Sequence, residues 1–159
     1  MSIYMKIPNI TGNVSTRSYQ GCIELLNTKN LGKRTIQQIT GQGTQREMSH
    51  LHLDHMRITK HQDAASAELY QYFCSGKNIP QLDIYHIIMM QGSPEWRVRI
   101  TLQNVMLAQH NEQLSAEGSL EMIDLAFTKI EKSYKQQGAN GQFQTPSTSG
   151  YNIETAEVM

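Results

Sequence analysis

The chain has 159 residues, with 14 Lys plus Arg against 14 Asp plus Glu and a formal charge of zero. That length predicts a single domain over residues 1–159 with room for a sizeable core. A neutral chain has no general electrostatic grip on nucleic acid or on an anionic membrane, so neither is an expected partner.

Ile3, Met5 and Ile7 alternate with polar neighbours and predict a first strand, which Pro8 and Asn9 break. Asn13 to Gln20 reads as polar loop. Cys22 to Leu26 predicts a short second strand that ends at Asn27 to Gly32. Residues 33–40 carry only Ile36 and Ile39 as apolar anchors, which predicts a weak strand exposed on one side. Gly41, Gln42, Gly43, Thr44, Gln45, Arg46 and Glu47 have nothing to bury, so they predict an excursion between strands. From His50 to Lys60 the apolar phase changes, from Leu51 and Leu53 to Met56 and Ile58. That change predicts a bulge near Asp54 or His55.

A helix is predicted over about residues 63–75. Asp63 is placed as its N-cap, and Ala65, Leu69, Tyr72 and Phe73 form one stripe of helical period. Gly76 follows as a residue that accepts positive φ, and Lys77 suits the negative pole of the helix dipole. Leu82 to Met90 is apolar on both faces and predicts a central strand. Gln91 to Pro94 is a turn, and Arg97 to Ala108 a return strand with a bulge at Asn104. In residues 119–134, Leu120, Ile123, Phe127, Ile130 and Tyr134 are spaced 3, 4, 3, 4, which by periodicity favours an amphipathic helix over a strand. Residues 136–150 read as loop, and Tyr151 to Ile153 as a final short strand.

No stretch approaches the ~18 apolar residues of a membrane helix, and MSIYMKIPNI lacks the pattern of a signal peptide. Cys22 and Cys74 read as reduced packing thiols. His50, His52 and Asp54 are the nearest approach to a metal set, but their spacing is loose for a zinc motif, and a solvated histidine face is the preferred reading. Gly41 and Gly43 lack the third glycine and the helix of a phosphate loop. No nucleophile, general base, cofactor site or metal site is assigned, and the protein is not expected to be an enzyme.

Several of these segments, in order, resemble the haemolysin-coregulated protein (Hcp) family, the tube protein of the bacterial type VI secretion system. They are IYMKIPNITG, CIELLN, then Thr59-Lys60, Asp63, Ser66, Leu69 and Ser75-Gly76-Lys77, and finally Tyr134, Gln137 and Gly150-Tyr151-Asn152-Ile153. The resemblance implies a mainly β, α+β fold: a small β-barrel of two packed, mostly antiparallel sheets with one flanking helix. It implies strand at residues 119–134, against the helical period. It further implies a homohexameric ring, rings stacked into a tube, effector toxins carried in the lumen, and sheath and spike proteins as partners. The expected location is the bacterial cytoplasm, then secretion without a cleaved signal peptide. Gly41 to Glu47 becomes the candidate ring-stacking loop. Arg97, Arg99, Thr101 and Gln103 become candidate lumen-facing residues, with solvated outer surface as the equal reading. The alternatives are a phage-type tail-tube subunit and a monomeric β-barrel holding a ligand beside Met56 and Met89. An appended toxin domain is not expected, since the chain ends just after its last strand.

Overall fold

The computed structural model describes residues 1–38 and 46–159, with side chains described for 1–36 and 51–159. Before the helix come β1 (Ser2–Lys6), β2 (Ile23–Leu25), β3 (Asn27–Lys29), β4 (Gly32–Gln38), β5 (Arg46–Leu53) and β6 (Met56–Lys60). The helix is α1 (Ser66–Ser75). After it come β7 (Ile79–Met90), β8 (Ser93–Ser115), β9 (Gly118–Ala126), β10 (Lys129–Tyr134), β11 (Ser147–Asn152) and β12 (Glu157–Val158). The fold is thus mainly β with one helix.

The strands pair antiparallel. β4 and β5 form a two-stranded sheet of their own, and the other ten strands make one ladder that folds into two packed layers. The fold-over lies within β8. Its first part runs between β7 and β10, and from Met106 onward it pairs with β9 instead. Asn104 marks this corner with φ at 52°, a left-handed conformation that Asn tolerates better than most residues. Its side-chain amide donates to the Thr128 hydroxyl at 3.0 Å, so the facing chain turns the same corner. The layers also join at Leu26, between β2, which pairs with β1, and β3, which pairs with β6. The Leu26 amide donates to the Thr59 carbonyl at 2.7 Å.

Between the layers lies the core. Met5, Ile23, Leu82, Leu102 and Ile130 meet Met56, Ile58, Val105, Ile123 and Leu125 there, and all ten are buried. α1 closes one side by packing on β8, with Ala65 and Leu69 fully buried and Tyr72 and Phe73 partly so. This is the stripe that the helical period predicts. Gly76 ends the helix with φ at 66°, which a side chain would disfavour, and Lys77 lies over the Tyr72 ring at 4.8 Å.

Local expectations change in several places. Asn27–Lys29 is a strand and not a terminating loop, because polar side chains do not prevent backbone pairing with β6. His50–Lys60 is divided between β5 and β6, with the break where the phase changes. Asp63 is not the N-cap: Ala65 holds that position without a side-chain bond, and Asp63 lies in the preceding turn, accepting from the Ala65 amide at 3.0 Å. β7 is central in the ladder, yet its far end stands clear of cover, with Met89 67% exposed. The return strand is longer than residues 97–108, and its register shifts fall at Arg97 and Ala108, on either side of Asn104.

Residues 119–134 are strand, as the resemblance implies. Glu121, Ile123, Leu125 and Phe127 face inward at period two, and the break at Thr128 moves the next inward residue to Ile130. Mixing that break with Leu120 and the exposed Tyr134 produces the helical spacing. The loop expected over 136–150 ends early, because β11 starts at Ser147 to pair with β10. Residues 13–20 are less purely polar than expected in their packing. Val14 and Tyr19 pack with Tyr4, Cys22, Ile87, Tyr85 and Trp96. Both cysteines are free, but only Cys22 is buried, whereas Cys74 is exposed.

Candidate functional site

The candidate residues fall on two surfaces, an arm of two strands and the outer face of one sheet layer. The first is the arm formed by β4 and β5. β3 and β6 begin a ribbon inside the body, paired from Asn27 opposite Thr59 to Lys29 opposite Arg57. The ribbon resumes outside the body with Gly32 opposite Leu53. Between these pairs, Asp54, His55 and Met56 face only Asn30 and Leu31, so one strand carries an extra residue. That extra residue falls where the apolar phase changes and where a bulge is predicted. Beyond it, β4 and β5 pair only with each other among the described residues, as a two-stranded ribbon with no third strand. Lys33, Arg34 and Ile36 are exposed, with Ile36 at 55%.

Of the candidate stacking loop, Gly41 to Gln45 lie outside the described residues. Arg46 and Glu47 begin β5, opposite Gln38 and Gln37.

The second surface is the face of the β7–β8–β10 layer that points away from the core. Ile100 and Leu102 of β8 turn inward, so Arg99, Thr101 and Gln103 turn out. Asp83 of β7 holds the first two. Its carboxylate accepts from the Thr101 hydroxyl at 2.6 Å and from Arg99 Nε and Nη2 at 3.3 and 3.2 Å. Glu131 lies opposite Thr101 and Lys129 opposite Gln103, so the polar face continues onto β10. Arg97 is not part of this row. It stands at the register shift, exposed, with its carbonyl accepting from the Lys135 amide at 2.9 Å. One end of the same face is apolar and covered by Val14 and Tyr19, and burial pushes the Tyr19 and Tyr85 hydroxyls and the Cys22 thiol above their usual pKa values. A buried thiol of this kind is a poor nucleophile.

The sequence reading missed the polar cluster that ties α1 to the sheet. Lys60 is fully buried, and its ammonium donates to Glu121 at 2.7 Å and to the Ser66 hydroxyl at 3.1 Å, with Asp63 Oδ1 at 2.9 Å. The signal was available. Lys60 follows Met56 and Ile58 at period two, and Glu121 precedes Ile123 and Leu125 in the same way, so each falls on a core face. Around the arm base, His52 pairs with Asp54 at 3.0 Å and Arg57 grips Asp124 with bonds of 2.7 and 3.1 Å. Among the described residues no three His, Cys, Asp or Glu side chains form a metal-binding group. Among the same residues, no helix is long and apolar enough to cross a membrane.

The described residues thus form a two-layered, mostly β domain with one bracing helix and an arm of two strands paired with each other. The family model "Type VI secretion system effector, Hcp" matches residues 4–134, and the chain belongs to that family, the tube proteins of type VI secretion. No curated protein sequence matches the chain. The fold is similar to solved structures over nearly its whole length. One, described as a type six secretion system protein, has a TM-score of 0.87 at 19% identity, covering 99% of each chain. Hcp1 from Salmonella typhimurium has a TM-score of 0.79 at 22% identity, covering 99% of this chain and 98% of its own. A type VI secretion system effector from Yersinia pestis has a TM-score of 0.70 at 18% identity, over 95% and 99%.

Proposed function

We propose that this chain is a structural, non-catalytic subunit of the type VI secretion inner tube. Six copies form a ring, rings stack into a tube, and effector proteins travel in the lumen. The sheath and spike of the apparatus are its other partners, and it leaves the bacterial cytoplasm as part of the secreted tube. The observation that carries the reading, beyond family membership, is the arm: a ribbon whose strands, among the described residues, pair only with each other and which exposes Ile36. A ribbon of this kind suits pairing or packing against a further copy. The polar face around Asp83 supports a lumen wall, because a hydrated, charge-balanced surface holds passing proteins without trapping them.

The monomeric ligand-barrel alternative asks Met56 and Met89 to line one cavity. Met56 is 1% exposed in the core, and Met89 is 67% exposed at the end of β7, so that cavity has little support.

Deleting Gly41 to Glu47 tests the stacking role of the arm. The expected outcome is a folded subunit with an unchanged melting temperature for the body but shorter or absent tubes by electron microscopy. Tubes of normal length would overturn the reading.

A further inference from the structure

The arm touches the body at only a few places, and one side chain spans the bend. Asn30 Nδ2 donates to the Asp54 carbonyl at 2.8 Å, across the bulge from its own strand to the other. Beside it the Asp54 amide donates to the Leu31 carbonyl at 2.8 Å. The Asp54 carboxylate is in turn held by His52 Nε2 at 3.0 Å, and the Leu53 side chain packs against the core. A bulge leaves backbone groups without ladder partners and the bend free to vary, unless other bonds fix it. Here the Asp54 carbonyl, which the ladder does not use, is taken by the Asn30 amide.

We infer that Asn30 is the positioning residue of the arm: its amide clamps the bulge at Asp54 and so sets the direction in which the arm leaves the body. This rests on the stacking role proposed above and deepens it, because a clamp matters only if another ring reads the arm's direction. Asn30 makes this bond from a partly exposed site and contributes nothing to the core, so its loss leaves the subunit folded. An arm free to sample several directions meets its target less often. Losing one modest hydrogen bond per arm loosens that direction without removing the arm, so its effect is felt in stacking.

The experiment compares the unaltered protein with Asn30→Ala, Asn30→Asp and the Gly41–Glu47 deletion. It reads melting temperature, amide exchange at residues 30–36 and 51–56, and the protein concentration at which rings stack. Asn30→Ala is expected to keep its melting temperature, to speed exchange at the arm base, and to raise the stacking concentration roughly two- to tenfold. Asn30→Asp is expected to be worse, since it sets a carboxylate against the Asp54 carbonyl. If the deletion blocks stacking while both Asn30 variants stack as the unaltered protein does, the clamp is overturned and the arm's role stands. If the deletion itself stacks normally, the stacking role fails and the inference falls with it. A raised stacking concentration without faster exchange at the arm base would also overturn the clamp, since the effect would then not pass through the bend.

Discussion

Lys60 shows why so short a stretch carries so much of the family resemblance. Thr59-Lys60, Asp63 and Ser66 read as a strand end followed by a helix start, yet in the fold they are one device. The ammonium of Lys60, fully buried, gathers Asp63, Ser66 and Glu121 and so joins β6, the turn before α1, and β9. Removing one partner of a buried pair leaves the other charge unpaired, at a cost of about 3–5 kcal/mol. Lys60→Met is therefore expected to destabilise by about that much in urea unfolding, and adding Glu121→Leu to recover most of it. A Lys60→Met change that costs nothing would mean the cluster is not coupled to folding. A second residue-level prediction concerns pH. The hydrogen bond from Arg57, with its positive charge, holds the Asp124 carboxyl below its ordinary value of 3.8 despite partial burial. Because the folded value is depressed, this pairing adds stability above the ordinary aspartate range and loses it as pH falls through the folded value. Arg57→Ala is expected to move the Asp124 titration upward in a carboxyl NMR titration, and an unmoved titration would contradict the assignment.

At the level of elements, the legible parts were those where one period ran without interruption. The α1 stripe and the opening alternation of β1 translated directly into structure, and the apolar run of β7 did so except at its far end, where Met89 is exposed. Where the chain changes layer the period fails, and the reasons are specific. Residues 119–134 cross the corner at Thr128, which inserts one residue into the alternation and imitates a helix. His50 to Lys60 crosses the arm base, where the bulge flips the inward face. Asn27–Lys29 shows no apolar signal because it is held by backbone pairing to Arg57–Thr59. Resemblance to the family corrected the first of these, while local pattern alone found the bulge in the second. The helix also carries a prediction: Leu69 is fully buried at the centre of the stripe, and Leu69→Ala is expected to cost about 2–5 kcal/mol in denaturant unfolding. A cost under about 1 kcal/mol would show that α1 is not the brace its packing indicates.

For the molecule as a whole, the division is between a ten-stranded body folded over one core and an arm whose two strands, among the described residues, pair only with each other. The body was legible in outline as mainly β with one helix. The candidate site was legible only in part, since Arg99, Thr101 and Gln103 do share an outward face whereas Arg97 falls at a register shift. Asp83, which holds Arg99 and Thr101 there, carried no signal of its own, because an aspartate on a strand reads as solvated until its cross-strand partners are known. The same holds for Asn30, whose role depends on a bulge in another strand. The central claim is that this subunit is made to assemble, and the size and symmetry of the purified protein test it most directly. Negative-stain electron microscopy with mass measurement in solution is expected to show six-fold rings of six subunits. A monodisperse monomer of 18.1 kDa across the concentrations at which the protein stays soluble would contradict the account.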